Sequence, residues 1–259
     1  MSDPVNVSVE GSVGIIELAR PEKSNCLSLE AHECISRARE RFEADRNVRS
    51  ILICAQGKHF CTGADLTEVK SKLMDAHALD YFIAFGMEGF RKLEQSRLPV
   101  IVAVQGLCLA GGLELMLSCD VCFAAESAQF GDQHAQFGLI PGWGGSQRLT
   151  RLMGLRRALD LMFSARWLKA DEAREAGLVN YIVPDGELRQ AALAYCQKIA
   201  TRSRPGIAEM KRLAREGADM ATDQQMRLER DAAVRALPSE DVTEGLNAFE
   251  NRRTPAFKA

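Results

Sequence analysis

Two residues of this 259-residue chain bring acid–base chemistry into apolar surroundings. Glu114 lies in "VQGLCLAGGLELMLSCD" (104–120), beside Leu113, Leu115, Met116 and Leu117. An ionised carboxylate buried among such neighbours costs several kcal/mol unless it is paired or its proton is held. Glu114 is therefore a candidate catalytic group, with an anion held by the positive start of a helix as the structural alternative. His134 lies in "QFGDQHAQFGLIPGWGG" (129–145), among small, apolar and turn-forming residues. Imidazole titrates near pH ~6.5 and both accepts and donates a proton; the competing reading is a polar side chain that found a local partner. Asp132 is a further candidate base, or a solvent-facing carboxylate.

Glycines mark two places where backbone could meet a ligand. Ala110-Gly111-Gly112 allows close approach and leaves N–H groups at a helix start without intrahelical partners, which suits an oxyanion. "GKHFCTGADL" (57–66) puts Cys61 and Gly63 on a loop after a strand. Two such loops face to face would supply two convergent donors, although tight turns explain either loop alone. Other chemistries fit less well. A Cys61 nucleophile paired with His59 has unsupported geometry at a spacing of two. Cys119 and Cys122 form one CxxC without the further ligands zinc needs, so no metal is expected. "PGWGGSQRL" lacks the lysine of a phosphate loop and the nucleophile elbow of a serine hydrolase, while Ser146 reads as a helix N-cap.

These residues must be positioned by elements that the hydrophobic pattern outlines. "VNVSVEGSVGIIEL" (5–18) alternates about a turn and predicts a hairpin. Helical periodicity follows over 29–45 and 66–95, with buried strands in "RSILICAQG" and "LPVIVAVQG", a short helix in "GGLELMLSCD" and another strand in "VCFAAES". The succession of strand, strand and helix units defines an α/β protein. Strands almost vanish after residue 146, and 187–252 is mostly amphipathic helix, broken near "SRPG" and "LPSED". We divide the chain into a core over 1–190 and a helical oligomerisation region over 191–259, with no linker between them.

The balance of 33 basic and 35 acidic residues gives no overall field for nucleic acid or an anionic membrane. No apolar run is long enough to span a bilayer and "MSDPVNVSVE" is not a signal peptide, so a cytoplasmic location is expected. Eight scattered cysteines, several in apolar runs, agree with a reducing compartment.

Taken together and in order, "RPEKSNCLS", "GKHFCTGADL", "PVIVAVQGLCLAGGLELMLSCD", "AQFGDQHAQFGLIPGWGGSQRL", "EAREAGLVNYIV" and "GLNAFENRRTPAF" resemble the crotonase family of enoyl-CoA hydratases and isomerases. The resemblance spans nearly the whole chain. It implies a superhelix of strand-strand-helix turns with a C-terminal helical region, assembly as homotrimers or dimers of trimers, and an acyl-CoA substrate whose thioester enolate is stabilised by two backbone N–H groups. Those donors would be Cys61 and Gly111. Lys23, Lys58 and His59 would border coenzyme A, with Asp65 and Leu66 at the start of the substrate loop and Trp143 near the reacting carbons. Coenzyme A arrives with the substrate, so no separate cofactor is implied.

Hydratases of this family use two glutamates. Glu114 matches the first, and the position of the second is occupied by His134. The resemblance therefore implies an enoyl-CoA hydratase in which imidazole replaces a carboxylate. The alternatives are a divergent crotonase (a C–C hydrolase, decarboxylase or hydroxyacyl-CoA dehydratase) and an acyl-CoA-binding protein without turnover. Leu66, Leu73, Tyr81, Phe82 and Phe85 are candidate neighbours of the acyl chain.

Overall fold

The computed structural model describes residues 3–258. The expected hairpin is formed by β1 (Val5–Glu10) and β2 (Val13–Leu18), antiparallel about a turn in which Gly11 has φ +61°. Ser28 accepts the Ala31 N–H and so caps α1 (Leu29–Ala44), whose buried Ala31, Ile35, Ala38 and Phe42 follow the helical repeat. After β3 (Ser50–Ala55), two helices, α2 (Leu66–Lys72) and α3 (Ala76–Glu94), stand where one was predicted. The break falls at Asp75, which caps α3 by accepting the N–H groups of His77 and Ala78.

Next come β4 (Val100–Val104), β5 (Leu107–Leu109), α4 (Gly111–Leu117), β6 (Val121–Ala125) and β7 (Gln129–Gly131). They lead to α5 (Gly145–Met153), α6 (Leu155–Ser164), β8 (Leu168–Lys169), α7 (Ala170–Glu175) and β9 (Tyr181–Val183). Four helices finish the chain: α8 (Leu188–Ala200), α9 (Arg204–Gly217), α10 (Thr222–Ala236) and α11 (Glu240–Glu250). Ser146 is not the cap of α5. Gly144, at φ +97°, holds that position and Ser146 sits inside the first turn.

The strands form two sheets, a six-stranded one in the order β1-β2-β3-β4-β6-β9 and a three-stranded one in the order β5-β7-β8. Beyond the hairpin, every pairing in the larger sheet is parallel. That is why β3 and β4 read as unbroken apolar runs: strands covered on both faces have no polar side to show. Successive turns of the chain place one strand in the larger sheet and the next in the smaller. β4 is followed by β5, and β6 by β7, while β3 is followed by Cys61, which bridges to Cys108 of β5. This is the expected superhelix.

The boundary expected after residue 190 falls inside α8. That helix packs across β2, β3, β4 and β6. A cleft of about 1750 Å³, lined by residues such as Glu94, Asp120, Arg148, Lys211 and Arg215, runs between α9 and the core.

Candidate active site

The smaller sheet positions the chemistry. Ala64 follows the Cys61 bridge, Gly111 follows β5, and Asp132 and His134 follow β7, so three successive turns each release backbone at the same end of one sheet. In parallel α/β architecture the carboxyl ends of strands are where ligands are held. The Ala110 N–H donates to the Gly131 carbonyl at 2.9 Å and ties the second release point to the third.

Glu114 occupies the first turn of α4 and is 1% exposed. Its Oε1 accepts the N–H groups of Trp143 (2.8 Å) and Gly145 (2.9 Å). The anion is thus held by the start of α5, a neighbouring helix, as well as lying near the start of its own. Oε2 is left facing the Nε2 of His134, 3.8 Å away. On the other edge of the imidazole, Nδ1 lies 3.1 Å from Oδ1 of Asp132, a close polar contact without the alignment of a hydrogen bond along the ring N–H. The three side chains are buried.

Burial raises the pKa of Glu114, against the opposing pull of the Gly145 and Trp143 N–H groups and the charge of His134. Burial acts in the other sense on His134, but the adjoining Asp132 carboxylate and the charge of Glu114 outweigh it and raise its pKa. Each shift favours the protonated form of its own group.

Two backbone donors open beside this group. Gly111, the first residue of α4, has no backbone acceptor among the described residues, and the preceding Ala110 adopts φ +47°. Across from it, a Cβ built on Gly63 would lie 3.4 Å from the Gly111 nitrogen, so the loop at 63–64 abuts the helix start. The Cys61 N–H cannot be the second donor, because it is committed to the Leu107 carbonyl at 3.1 Å inside the smaller sheet. Later in this loop the N–H groups of Gly63 and Ala64 have no acceptor among the described residues, and Ala64, three residues after Cys61, is the candidate second donor. Its signal in the sequence was Gly63, whose φ of +115° turns the following peptide. The Cys61 thiol is buried and pushed up to about 12, a structural cysteine.

Trp143 serves Glu114 through its backbone. The indole is 2% exposed and packs among His32, Phe82 and Phe90, behind Gly111 and over Gly86, where any Cβ would strike it. Phe82 belongs to the same cluster. Leu66, Leu73 and Tyr81 are exposed, and Phe85 is half-buried.

Asn25, which went unnoticed in the sequence, stitches two further loops together. Its side chain accepts the Arg20 N–H and donates to the carbonyls of Gln56 and His59. Lys23 and Lys58 consequently lie on touching loops, with exposed ammonium groups. His59 is held by its Nδ1, which accepts the Leu107 N–H at 3.1 Å. Asp65 is 7% exposed, caps α2 through the Thr67 N–H and pairs with Arg20 at 2.9 Å and Lys23 at 3.7 Å. Burial alone would raise its pKa, but the Arg20 hydrogen bond and nearby cations leave it lowered. Asp65 therefore anchors the loop, and Leu66 begins α2 with its side chain half exposed.

The sequence profile of the enoyl-CoA hydratase/isomerase family matches residues 8–259. The chain is 35% identical over 252 residues to a protein of Rhizobium meliloti (strain 1021) named "Probable enoyl-CoA hydratase", covering 97% of this chain and 96% of that one. It is 34% identical over 251 residues to the "Short-chain-enoyl-CoA hydratase" of Clostridium acetobutylicum, covering 96% and 95%. Among solved structures, an enoyl-CoA hydratase from Bacillus anthracis superposes with a TM-score of 0.94 at 33% identity, covering 98% of this chain and 99% of that one.

Proposed function

The chain belongs to the enoyl-CoA hydratase/isomerase family, and from that premise we propose that it is an enoyl-CoA hydratase in which Glu114 and His134 share one water. The carrying observation is the 3.8 Å gap between Glu114 Oε2 and His134 Nε2 beside the unpaired N–H groups of Ala64 and Gly111. A water oxygen at hydrogen-bond distance, about 2.8 Å, from both atoms subtends an angle of roughly 85°, so that one of its protons can point to Oε2 while a lone pair accepts the Nε2–H.

In the forward reaction the water oxygen bonds to the β-carbon while Glu114 Oε2 takes one of its protons. The π electrons of the double bond move through the α-carbon onto the thioester oxygen, where the two N–H groups receive the enolate. The His134 Nε2–H then delivers its proton to the α-carbon, the enolate collapses, and proton transfer from Glu114 to His134 restores the site. One side chain takes a proton while the other gives one, so a carboxylate and an imidazolium suit the two roles.

Lys23 and Lys58, on loops joined by Asn25, are proposed to meet the phosphates of coenzyme A, with His59 bordering them. Leu66 is proposed to flank the acyl chain, and Trp143 to fix the depth of the pocket from behind Gly111. We also propose that the chain assembles as a homotrimer or dimer of trimers; Met210, Met226, Val234, Leu237, Leu246 and Phe249 expose apolar surface on the C-terminal helices that association would cover. No helix among the described residues is long and apolar enough to cross a membrane; a cytoplasmic location is proposed.

The test is loss of the enoyl-thioester absorbance of crotonyl-CoA across about pH 5 to 9, in wild type, Glu114→Gln, His134→Ala and His134→Glu. Turnover that disappears in the first two variants supports the reading. No turnover by wild type together with turnover by His134→Glu overturns it.

A further inference from the structure

Resting on the hydratase reading above, we propose that Asp132 is a positioning residue for this reaction: its carboxylate fixes the Nδ1 edge of His134, so that the Nε2 edge faces Glu114. Asp132 is 1% exposed. Its Oδ1 stands 3.1 Å from Nδ1 of His134 and accepts the His134 backbone N–H at 3.3 Å, whereas Oδ2 has no partner among the described residues. No lysine or arginine among the described residues pairs with it, leaving the imidazole as its counter-ion. A buried carboxylate so poorly provided with donors is costly, and holding a cation beside it offsets that cost.

The backbone is bent to make the pair. Gln133, between the two residues, adopts φ +62°, and its side-chain amide donates to the Ala165 carbonyl. A left-handed conformation at a non-glycine residue costs energy unless surroundings enforce it. Here the bend brings the Asp132 carboxylate onto the imidazole of His134. An unanchored ring could turn over and present carbon to Glu114, and the identity of the group on Nδ1 decides which nitrogen acts.

The charged groups facing His134 are Asp132, from its own segment, and Glu114, from α4. Helix α6 packs against the same turn, but its Arg156 is exposed, Arg157 donates to the Glu175 carbonyl and Asp160 pairs with Arg166. Two carboxylates thus act on one imidazole, and each raises its affinity for a proton. Asp132 makes His134 a proton donor, complementary to Glu114 as acceptor.

The chain has four histidines, so ring titrations followed by NMR can be resolved, with His134→Ala assigning the signal. In wild type, His134 is expected to titrate above the ordinary value of about 6.5, and in Asp132→Asn to fall by about one unit or more. With crotonyl-CoA, kcat of Asp132→Asn should fall about tenfold or more with little change in KM, and Asp132→Glu should recover part of the loss. A wild-type His134 that titrates at or below the ordinary value overturns the inference, as does an Asp132→Asn protein that melts earlier but leaves the titration unmoved. If Asp132→Asn does not fold, the wild-type titration decides. Because the titration needs no substrate, absent hydratase turnover would sink the proposed function without touching this result.

Discussion

Oε2 of Glu114 and Nε2 of His134 stand 3.8 Å apart, and each is the free end of a side chain tied down at its other end. Glu114 is held through Oε1 by the Trp143 and Gly145 N–H groups, and His134 through Nδ1 by Asp132. Neither side chain needs to move for a reactant to meet both.

The raised pKa of His134 sets the sign of its pH dependence. A step that uses the imidazolium stays active at low pH and is lost as pH rises through the folded-state value, which lies above the ordinary one. The associated folding stability is fully present below about pH 6.5 and is lost over that same rise. His134→Gln keeps a polar side chain but removes the titration. We expect kcat/KM to fall about 10²-fold or more and the alkaline limb due to His134 to vanish from its pH profile.

Glu114→Gln should separate activity from stability. The amide oxygen can still accept the Trp143 and Gly145 N–H groups, but it cannot take a proton from water, so turnover should drop by about 10²-fold or more. The folded state binds the Glu114 proton more tightly than the unfolded state, because burial penalises the charge. Replacing that charge with an amide should therefore raise Tm at neutral pH, by about 2 °C or more. The gain should shrink as pH falls through the folded-state pKa towards the ordinary carboxylate value. Thermal melts at several pH values, beside the crotonyl-CoA assay, check both halves.

The larger sheet and the burial of Glu114 were legible because both depend on side-chain pattern: apolar runs at 51–54 and 100–104, and leucines on either side of residue 114. The smaller sheet was not. Its strands are two or three residues long, too short for a period of two to register. Backbone donors escape such reading for a different reason. Any residue but proline can supply the N–H that Trp143 and Gly145 give Glu114, and whether Cys61 or Ala64 presents a free one depends on the pairing of Cys61 with β5. The contact of Asp132 with His134 likewise hangs on one torsion at Gln133.

The reassigned donor predicts opposite outcomes at Cys61 and Gly63. Cys61→Ala removes a buried thiol that takes no part in the reaction, so kcat/KM should stay within about threefold of wild type, with stability lowered by about 1–2 kcal/mol through lost packing. Gly63→Ala forces a side chain onto a residue at φ +115° and sets its Cβ 3.1 Å from the Ala110 Cβ and 3.4 Å from the Gly111 nitrogen. The gap between the two donors should close or shift, costing about 10²-fold in kcat/KM. A Cys61→Ala protein with no activity and an intact fold would return the thiol to the mechanism.

The appended helices hold to the core through a line of charges that should govern stability without governing chemistry. Lys211 of α9 is 2.6 Å from Asp120, and its side chain is 10% exposed; Arg215 reaches both Asp120 (2.7 Å) and Glu94 (3.0 Å), and Glu94 also receives Arg148 at 2.7 Å. Asp120→Asn leaves Lys211 and Arg215 facing a neutral amide. For a fully buried pair that loss would be several kcal/mol, but Arg215 is a third exposed, so about 2–3 kcal/mol is expected. This corresponds to a Tm lower by about 5–10 °C. The Val100 N–H, which donates to Asp120, can still bond the amide oxygen, so the larger sheet should stay in register. Because α9 supplies none of the proposed catalytic groups, kcat on crotonyl-CoA below the melting range should match wild type. A fall in kcat without a fall in Tm would mean that the cleft between α9 and the core takes part in turnover.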